Sequence, residues 1–117
     1  MYNTVRAAIL AGAAAFCVAG ATAARADVIR VAIVMADSAA DNAANAAMIP
    51  AFTAMLTKGG AKDVMGGTDA GKMAIVTTSV WPNEAAIAAV TGSADWKAEA
   101  AKLKAKSYVI NVFELTP

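Results

Sequence analysis

The side chains that most often catalyse reactions or bind metals are nearly absent from this 117-residue chain. It contains no histidine and one cysteine, Cys17. Zinc sites built from Cys or His, thiolate-bound iron–sulfur clusters and histidine-bound haem all need these side chains. The Ser-His-Asp and Cys-His mechanisms need them too. We therefore expect no cofactor, no haem and no tightly bound transition metal, because carboxylates and amides are poor ligands for soft metals.

The residues that remain for binding are aromatic, amide and guanidinium side chains, most of them on or near predicted strands. An apolar chain with aromatic residues at strand ends and no strong acid–base pair suits an apolar or aromatic ligand better than it suits acid–base chemistry. The two tryptophans have a second interpretation as core or interface anchors. The candidate ligand-binding residues are Trp81, Tyr108, Arg30, Asn111 and Phe52.

Two of these candidates also have structural interpretations. Arg30 lies either at the solvent end of its strand or at the rim of a cavity. Phe52 belongs to a stripe with Ile49 and Leu56 at helical spacing, and such a stripe is typical of a core-facing helix. The sequence leaves both alternatives open.

The loop from Gly66 to Lys72 has most of the spacing of a phosphate-binding P-loop. Met73 stands where that motif needs a Ser or Thr, and a strand follows where it needs a helix. Without a helix N-terminus there is no dipole to hold a phosphate. A glycine-rich hairpin loop explains these residues.

Alternating and helical patterns predict the element order β-α-β-β-α-β. Pro50 should either kink the first helix or start its second segment near Ile49, and Gly92-Ser93 should divide the second helix. The order predicts an α+β, ferredoxin-like sandwich with a four-stranded antiparallel sheet and its helices on one face. Strands are expected at Val28–Ala36, Ala61–Gly66, Met73–Trp81 and Ser107–Leu115, and helices at Ser38–Lys58, from Asn83 to Gly92, and from Ser93 to a lysine-rich end at Lys102, Lys104 and Lys106.

The open face of such a sheet must be covered or hydrated, and monomers rarely expose a large apolar patch. We therefore expect a homodimer formed through that face, which would close the two sheets into an α/β barrel. A one-residue slip in a strand would exchange the two faces. Strand alternation assigns to the open face Val28, Ala32, Val34, Ile75, Val109 and Phe113, with Thr77, Ser79 and Asn111 as its polar members.

Residues 1 to 26 have the pattern of a cleaved export signal. Arg6 supplies positive charge, Ala7 to Ala24 is an uncharged and mostly apolar run, and Ala24-Arg25-Ala26 is a small-x-small cleavage site. A membrane anchor is the alternative, but the run is mostly Ala and Gly and a cleavage site follows at once. We expect a single periplasmic or secreted domain of residues 27–117, with no stable membrane insertion after cleavage.

Cleavage would leave a nearly neutral, small domain. It removes two of the 10 basic residues, so 8 basic side chains remain against 9 acidic ones. Scattered lysines and a balanced charge argue against nucleic acid as a partner. A domain of this size buries a modest share of its surface, which again favours a homodimer.

The divided second helix and the last strand carry a resemblance to a known family. The helix breaks at Thr91-Gly92-Ser93, restarts with Ala94-Asp95-Trp96-Lys97, and is followed by a Tyr-Val-Ile-Asn-Val strand. From Val28 to Leu115 the chain resembles the dimeric α/β-barrel superfamily, which includes antibiotic-biosynthesis-monooxygenase-like domains. The resemblance implies a barrel of two protomers and a ligand cleft between each sheet and its helices.

The superfamily contains unrelated activities, so the resemblance leaves the function open. Its haem-degrading and chlorite-dismutase-like members depend on a histidine that this chain lacks. Its cofactor-independent quinone monooxygenases use Asn, Trp, Tyr or Arg around an aromatic substrate. Asn111, Trp81, Tyr108 and Arg30 are of these types, although Tyr108 and Asn111 belong to opposite faces of one strand.

Three functions remain as hypotheses from the sequence. The first is an exported dimer that binds a small apolar or aromatic molecule. The second is a cofactor-independent monooxygenase, and the third is a structural or interaction dimer without a ligand. An apolar cavity that contains a buried polar group would favour the first two, and a filled core would favour the third.

Overall fold

The computed structural model describes residues 27–116, which form a four-stranded antiparallel sheet with four helices. The expected export signal lies outside the described residues. The sheet has the strand order β2-β3-β1-β4. In chain order the elements are β1 (Val28–Met35), α1 (Ala39–Ala46), α2 (Ile49–Lys58), β2 (Lys62–Thr68), β3 (Ala74–Trp81), α3 (Glu84–Thr91), α4 (Ala94–Ala100) and β4 (Ser107–Glu114). This architecture confirms the predicted ferredoxin-like α+β sandwich.

Each of the two helical connections consists of two short helices, and local signals fix where they divide. Pro50 lies in the first turn of α2, so the first connection breaks just before it. Three side chains cap helix N-termini by accepting a backbone N–H: Ser38 from Asp41, Asn83 from Ala86, and Ser93 from Trp96. The helix starts marked by Ser38, Asn83 and Ser93, and both breaks, agree with the sequence-based expectations.

Two element boundaries differ from the prediction by more than one residue. Strand β2 extends to Thr68, because Gly66 and Gly67 pair with β3 and do not belong to the hairpin loop. A side chain at Gly66 would collide with that of Ile49 on α2, so the glycine allows the helix to approach the strand. Helix α4 ends at Ala100, so the lysines expected near its end follow the helix.

The face assignment is wrong for β1 and β3 and correct for β4. In β1, Val28, Ala32 and Val34 are buried on the helix-covered face, and β3 buries Ile75, Thr77 and Ser79 on the same face. The open face instead carries Ile29, Val31 and Ile33 of β1, Val76, Thr78 and Val80 of β3, and Val109, Asn111 and Phe113 of β4.

The strand register explains this error. Val109 pairs with Ile33, and Phe113 pairs with Ile29. The predicted β4 residues therefore lie on one face of the sheet, and the predicted β1 residues lie on the other face. Both faces of β1 are apolar apart from Arg30, and alternation divides such a strand into two sets without telling which set the helices cover.

Trp81 anchors the core at one end of the sheet. Its side chain is fully buried, and its indole Nε1 donates a 2.8 Å hydrogen bond to Ser79 Oγ. Burying an indole requires such a partner, and Ser79 on the same face supplies it. The buried core around it comprises Val28, Leu56, Ala61 and Ile87.

No helix within residues 27–116 is long and apolar enough to cross a membrane.

Candidate functional site

A cavity lies beside this core, between the sheet and the helices α2 and α4. Its volume is about 120 Å³. It follows the helix-covered face of β1 from Arg30 past Ala32 to Val34. The lining is mainly apolar and comprises Arg30, Ala32 and Val34 of β1, Ile75 and Thr77 of β3, Tyr108 and Ile110 of β4, Phe52 of α2, Trp96 and Ala100 of α4, and Leu103.

Small side chains leave the space open. Ala32 is buried at the middle of β1, and Ala100 ends α4; both contribute a single methyl group to the lining. Protein interiors are otherwise packed nearly as densely as organic crystals. At the β4 side the cavity approaches solvent, because Tyr108 and Ile110 are each 54% exposed.

Arg30 is the charged group of the cavity lining, and it is almost completely buried. It is 4% exposed, and its Nη1 atom has no hydrogen-bond partner within residues 27–116. The ion pairs in that range join Lys62 to Asp27 and Lys102 to Glu99, so neither neutralises Arg30. Burial lowers the pKa of Arg30, but a guanidinium stays protonated in proteins.

The Arg30 guanidinium contacts the ring of Trp96. The guanidinium carbon lies 5.3 Å from the centroid of the Trp96 ring, a cation–π geometry. The ring of Phe52 meets Trp96 edge to face, with centroids 5.0 Å apart. The cavity therefore has a cation at one end, with two aromatic rings of the helical layer beside it.

The break between α3 and α4 places Trp96 in this position. Ser93 Oγ accepts a hydrogen bond from the Trp96 backbone N–H at 3.2 Å and donates one to the Val90 carbonyl at 2.6 Å. These bonds end one helix and begin the next, so the third residue after Ser93 faces the sheet. Trp96 also packs against the core around Trp81.

The structure brings together three of the five candidate residues from the sequence: Arg30, Phe52 and Tyr108 all line the cavity. Arg30 therefore lines a cavity and does not lie at the solvent end of its strand, but it lies in the buried part of that cavity and not at its rim. Trp81 does not line it, because the side chain is enclosed in the core. Asn111 pairs with Val31 on the open face, on the other side of the sheet.

Sequence reasoning missed Trp96 as a member of the site. The restart Ala94-Asp95-Trp96-Lys97 was visible, but it indicated only where a helix begins. The signal in the sequence was an arginine within an otherwise apolar strand, since an arginine without a carboxylate often stacks on an aromatic ring.

The described residues 27–116 contain no group of three His, Cys, Asp or Glu side chains close enough to hold a metal ion. The lining also lacks a carboxylate. The arrangement can enclose an apolar ring and contact one negative charge, and its one other ionisable group is the Tyr108 phenol.

Comparison with solved structures identifies the fold. A proposed antibiotic biosynthesis monooxygenase from Deinococcus radiodurans matches with a TM-score of 0.67 and 16% identity, over 77% of this chain and 93% of its own. SnoaB from Streptomyces nogalater, a cofactor-independent oxygenase, matches with a TM-score of 0.61 and 14% identity, over 79% and 95% of the two chains.

The chain has the fold of antibiotic-biosynthesis-monooxygenase-like proteins. The same fold occurs in PA3566 from Pseudomonas aeruginosa, with a TM-score of 0.68, 10% identity, and coverage of 79% of this chain and 96% of the other. No family model matches the chain, and no curated protein matches it in sequence. At these identities the likeness is one of fold, and it confirms the resemblance drawn from the divided second helix.

Proposed function

We propose that this chain is an exported, homodimeric α/β-barrel protein that binds a small apolar or aromatic molecule in the cavity between its sheet and its helices. The observation that carries the proposal is an apolar cavity lined by aromatic rings and containing a buried polar group, Arg30. Binding sites for small molecules have this composition, mostly apolar with few polar groups.

The size of the cavity limits what it binds. A dry apolar cavity of roughly 150 Å³ is known to bind a molecule of the size of benzene. The present cavity, at about 120 Å³, suits one ring or a short branched chain, with substituents extending toward the exposed Tyr108. Ligands with several fused rings would require the helices to move.

The open face of the sheet supports the homodimer. Val109 and Phe113 are 43% and 52% exposed there, next to Ile33 and Ile29 of β1. Full burial of such side chains contributes on the order of 1.5–3 kcal/mol each, against the cost of association. Export is supported by the leader pattern of residues 1–26.

A cofactor-independent oxygenase is the second candidate, favoured by the likeness in fold to SnoaB. A substrate in the cavity would contact Arg30, which could stabilise negative charge on an oxygen atom of the ring. The lining offers no carboxylate or imidazole as a general base, so the substrate would have to lose its proton readily. Oxygen uptake on adding a small hydroquinone, above the rate without protein, would distinguish an oxygenase from a binding protein.

Filling the cavity tests the binding proposal. Ala32→Leu places three further carbons in the cavity, whereas Ala54→Leu adds them at an exposed position of α2. Calorimetric titration with benzyl alcohol should show binding to the wild type and to Ala54→Leu, and no binding to Ala32→Leu. A wild type that binds neither benzyl alcohol nor benzoate would refute the proposal and favour a structural dimer.

A further inference from the structure

We infer that the ligand of this cavity is a single-ring aromatic carboxylate whose carboxylate group binds Arg30, and this inference rests on the binding function proposed above. The position of one buried cation at the end of a ring-sized apolar cavity is the observation that carries it.

The hydrogen-bonding state of Arg30 indicates a negatively charged partner. A buried charge without a hydrogen-bonded partner is costly, so buried arginines normally pair with a carboxylate. The Nη1 atom of Arg30 is buried without such a partner among residues 27–116. A ligand that supplies the missing acceptor would remove this cost, and the guanidinium fork is shaped to accept the two oxygens of a carboxylate.

The charge of the cavity limits the ligand to one negative charge. Arg30 is the single cationic residue of the lining, and the other polar side chains there are Thr77 and Tyr108. A phosphate ester carries roughly two negative charges at neutral pH and is usually bound by several donors. A monoanion such as a carboxylate matches one guanidinium.

The lining favours a flat ring over a flexible chain. Beyond Arg30 the floor of the cavity is the methyl group of Ala32, and Ile75 and Ile110 lie on the neighbouring strands. Phe52 and Trp96 form the helical side, with their rings edge to face. A ring bound over Ala32 would contact both aromatic side chains, and aromatic pairs prefer such offset or edge-to-face contacts.

The orientation of the ligand follows from the two ends of the cavity. Arg30 lies at the closed end, beside the core around Trp81, whereas Tyr108 lies at the exposed end. The carboxylate therefore binds deep in the protein, and the opposite edge of the ring points toward Tyr108. Substituents para to the carboxylate should be tolerated, and substituents beside it should not.

The test compares benzoate with benzyl alcohol, which have similar size and differ in charge. Calorimetric titration of the wild-type protein should give a dissociation constant for benzoate that is roughly 10- to 100-fold lower than that for benzyl alcohol. This is the range expected for hydrogen bonds to a charged group. This comparison requires no variant. Arg30→Met should remove the preference for benzoate over benzyl alcohol, and Arg30→Lys should retain part of it.

Lys58→Met is the matched control, because it removes one exposed positive charge from α2 and should leave the preference unchanged. Equal affinities for the two compounds in the wild type, or a preference that persists in Arg30→Met, would overturn the carboxylate inference while leaving the binding function intact. Absence of binding by both compounds would overturn both.

Discussion

Arg30 is a buried charge, and its burial has a free-energy cost that its contacts in the free protein offset only in part. The side chain is 4% exposed, and its contact with the Trp96 ring replaces part of the lost hydration. A desolvated cation–π contact contributes about 2 kcal/mol, less than the cost of burying a charge. We therefore expect Arg30 to lower the stability of the free protein and to gain hydrogen-bond partners when the proposed anion binds.

Replacing Arg30 by methionine should consequently stabilise the free protein. Methionine keeps most of the buried side-chain length and removes the charge, so we expect the free energy of unfolding to rise by about 1 kcal/mol or more. Urea denaturation of both proteins measures the difference. A decrease of the same size in the free energy of unfolding would show that Arg30 stabilises the free protein, and it would weaken the assignment of Arg30 to ligand binding.

Trp81 should affect stability and leave binding unchanged. Trp81→Phe removes the 2.8 Å hydrogen bond to the fully buried Ser79 hydroxyl, and an unpaired buried hydroxyl costs about 1–3 kcal/mol. Adding Ser79→Ala to this variant should recover part of the loss. Denaturation followed by the fluorescence of Trp96 measures stability, and an altered affinity for benzyl alcohol in Trp81→Phe would contradict the assignment of Trp81 to the core.

Among the elements, the short helix α4 contributes Trp96 to the site, and its N-cap Ser93 fixes where this helix begins. Ser93 holds both sides of the break through its hydroxyl group. Asn83 caps α3 in the same way, with its side chain accepting from Ala86, but α3 contributes no residue to the cavity lining. The two caps thus form a natural pair for comparison.

Removing each cap separates stability from binding. Ser93→Ala and Asn83→Ala should each lower the free energy of unfolding by about 1 kcal/mol, the usual cost of a lost N-cap. Ser93→Ala should also weaken the binding of benzoate several-fold, whereas Asn83→Ala should not. Equal affinities in the two variants, measured by calorimetry, would show that the Ser93 cap does not position the site.

Local signals predicted the order of the elements and the breaks in both helical connections, because each signal affects the backbone only within a few residues. These signals are Pro50, Ser38, Asn83 and Ser93. Local signals could not predict which face of the sheet the helices cover, since β1 is apolar on both sides apart from Arg30. The cavity depends on Ala32 and Ala100, which are far apart in sequence and resemble the many other alanines of the chain.

For the whole molecule, the uncovered side of the sheet is the surface proposed for the dimer interface. Its central β1 residues are Ile29, Val31 and Ile33, whereas Val34 and Ile75 lie on the helix-covered face. In the ferredoxin-like arrangement the helices cover one face, and an exposed apolar opposite face favours association.

A charge on this face should dissociate the proposed dimer. Ile33→Asp places a carboxylate between Val76 and Val109, and we expect a monomer by light scattering at micromolar concentration. Ala54→Asp adds the same charge at an exposed position of α2 and should remain a dimer. A monomeric wild type, or an Ile33→Asp variant that is still dimeric, would contradict the proposed interface.

The central claim, that the cavity binds a small aromatic molecule, can be tested most directly by isotope-labelled isoleucine methyl groups. Residues 27–117 contain six isoleucines; Ile75 and Ile110 line the cavity, whereas Ile29 and Ile33 lie on the open face. When benzoate or benzyl alcohol is added, ring currents should shift the NMR methyl signals of Ile75 and Ile110 and leave those of Ile29 and Ile33 in place. Shifts confined to Ile29 and Ile33, or no shift at any isoleucine, would contradict the claim.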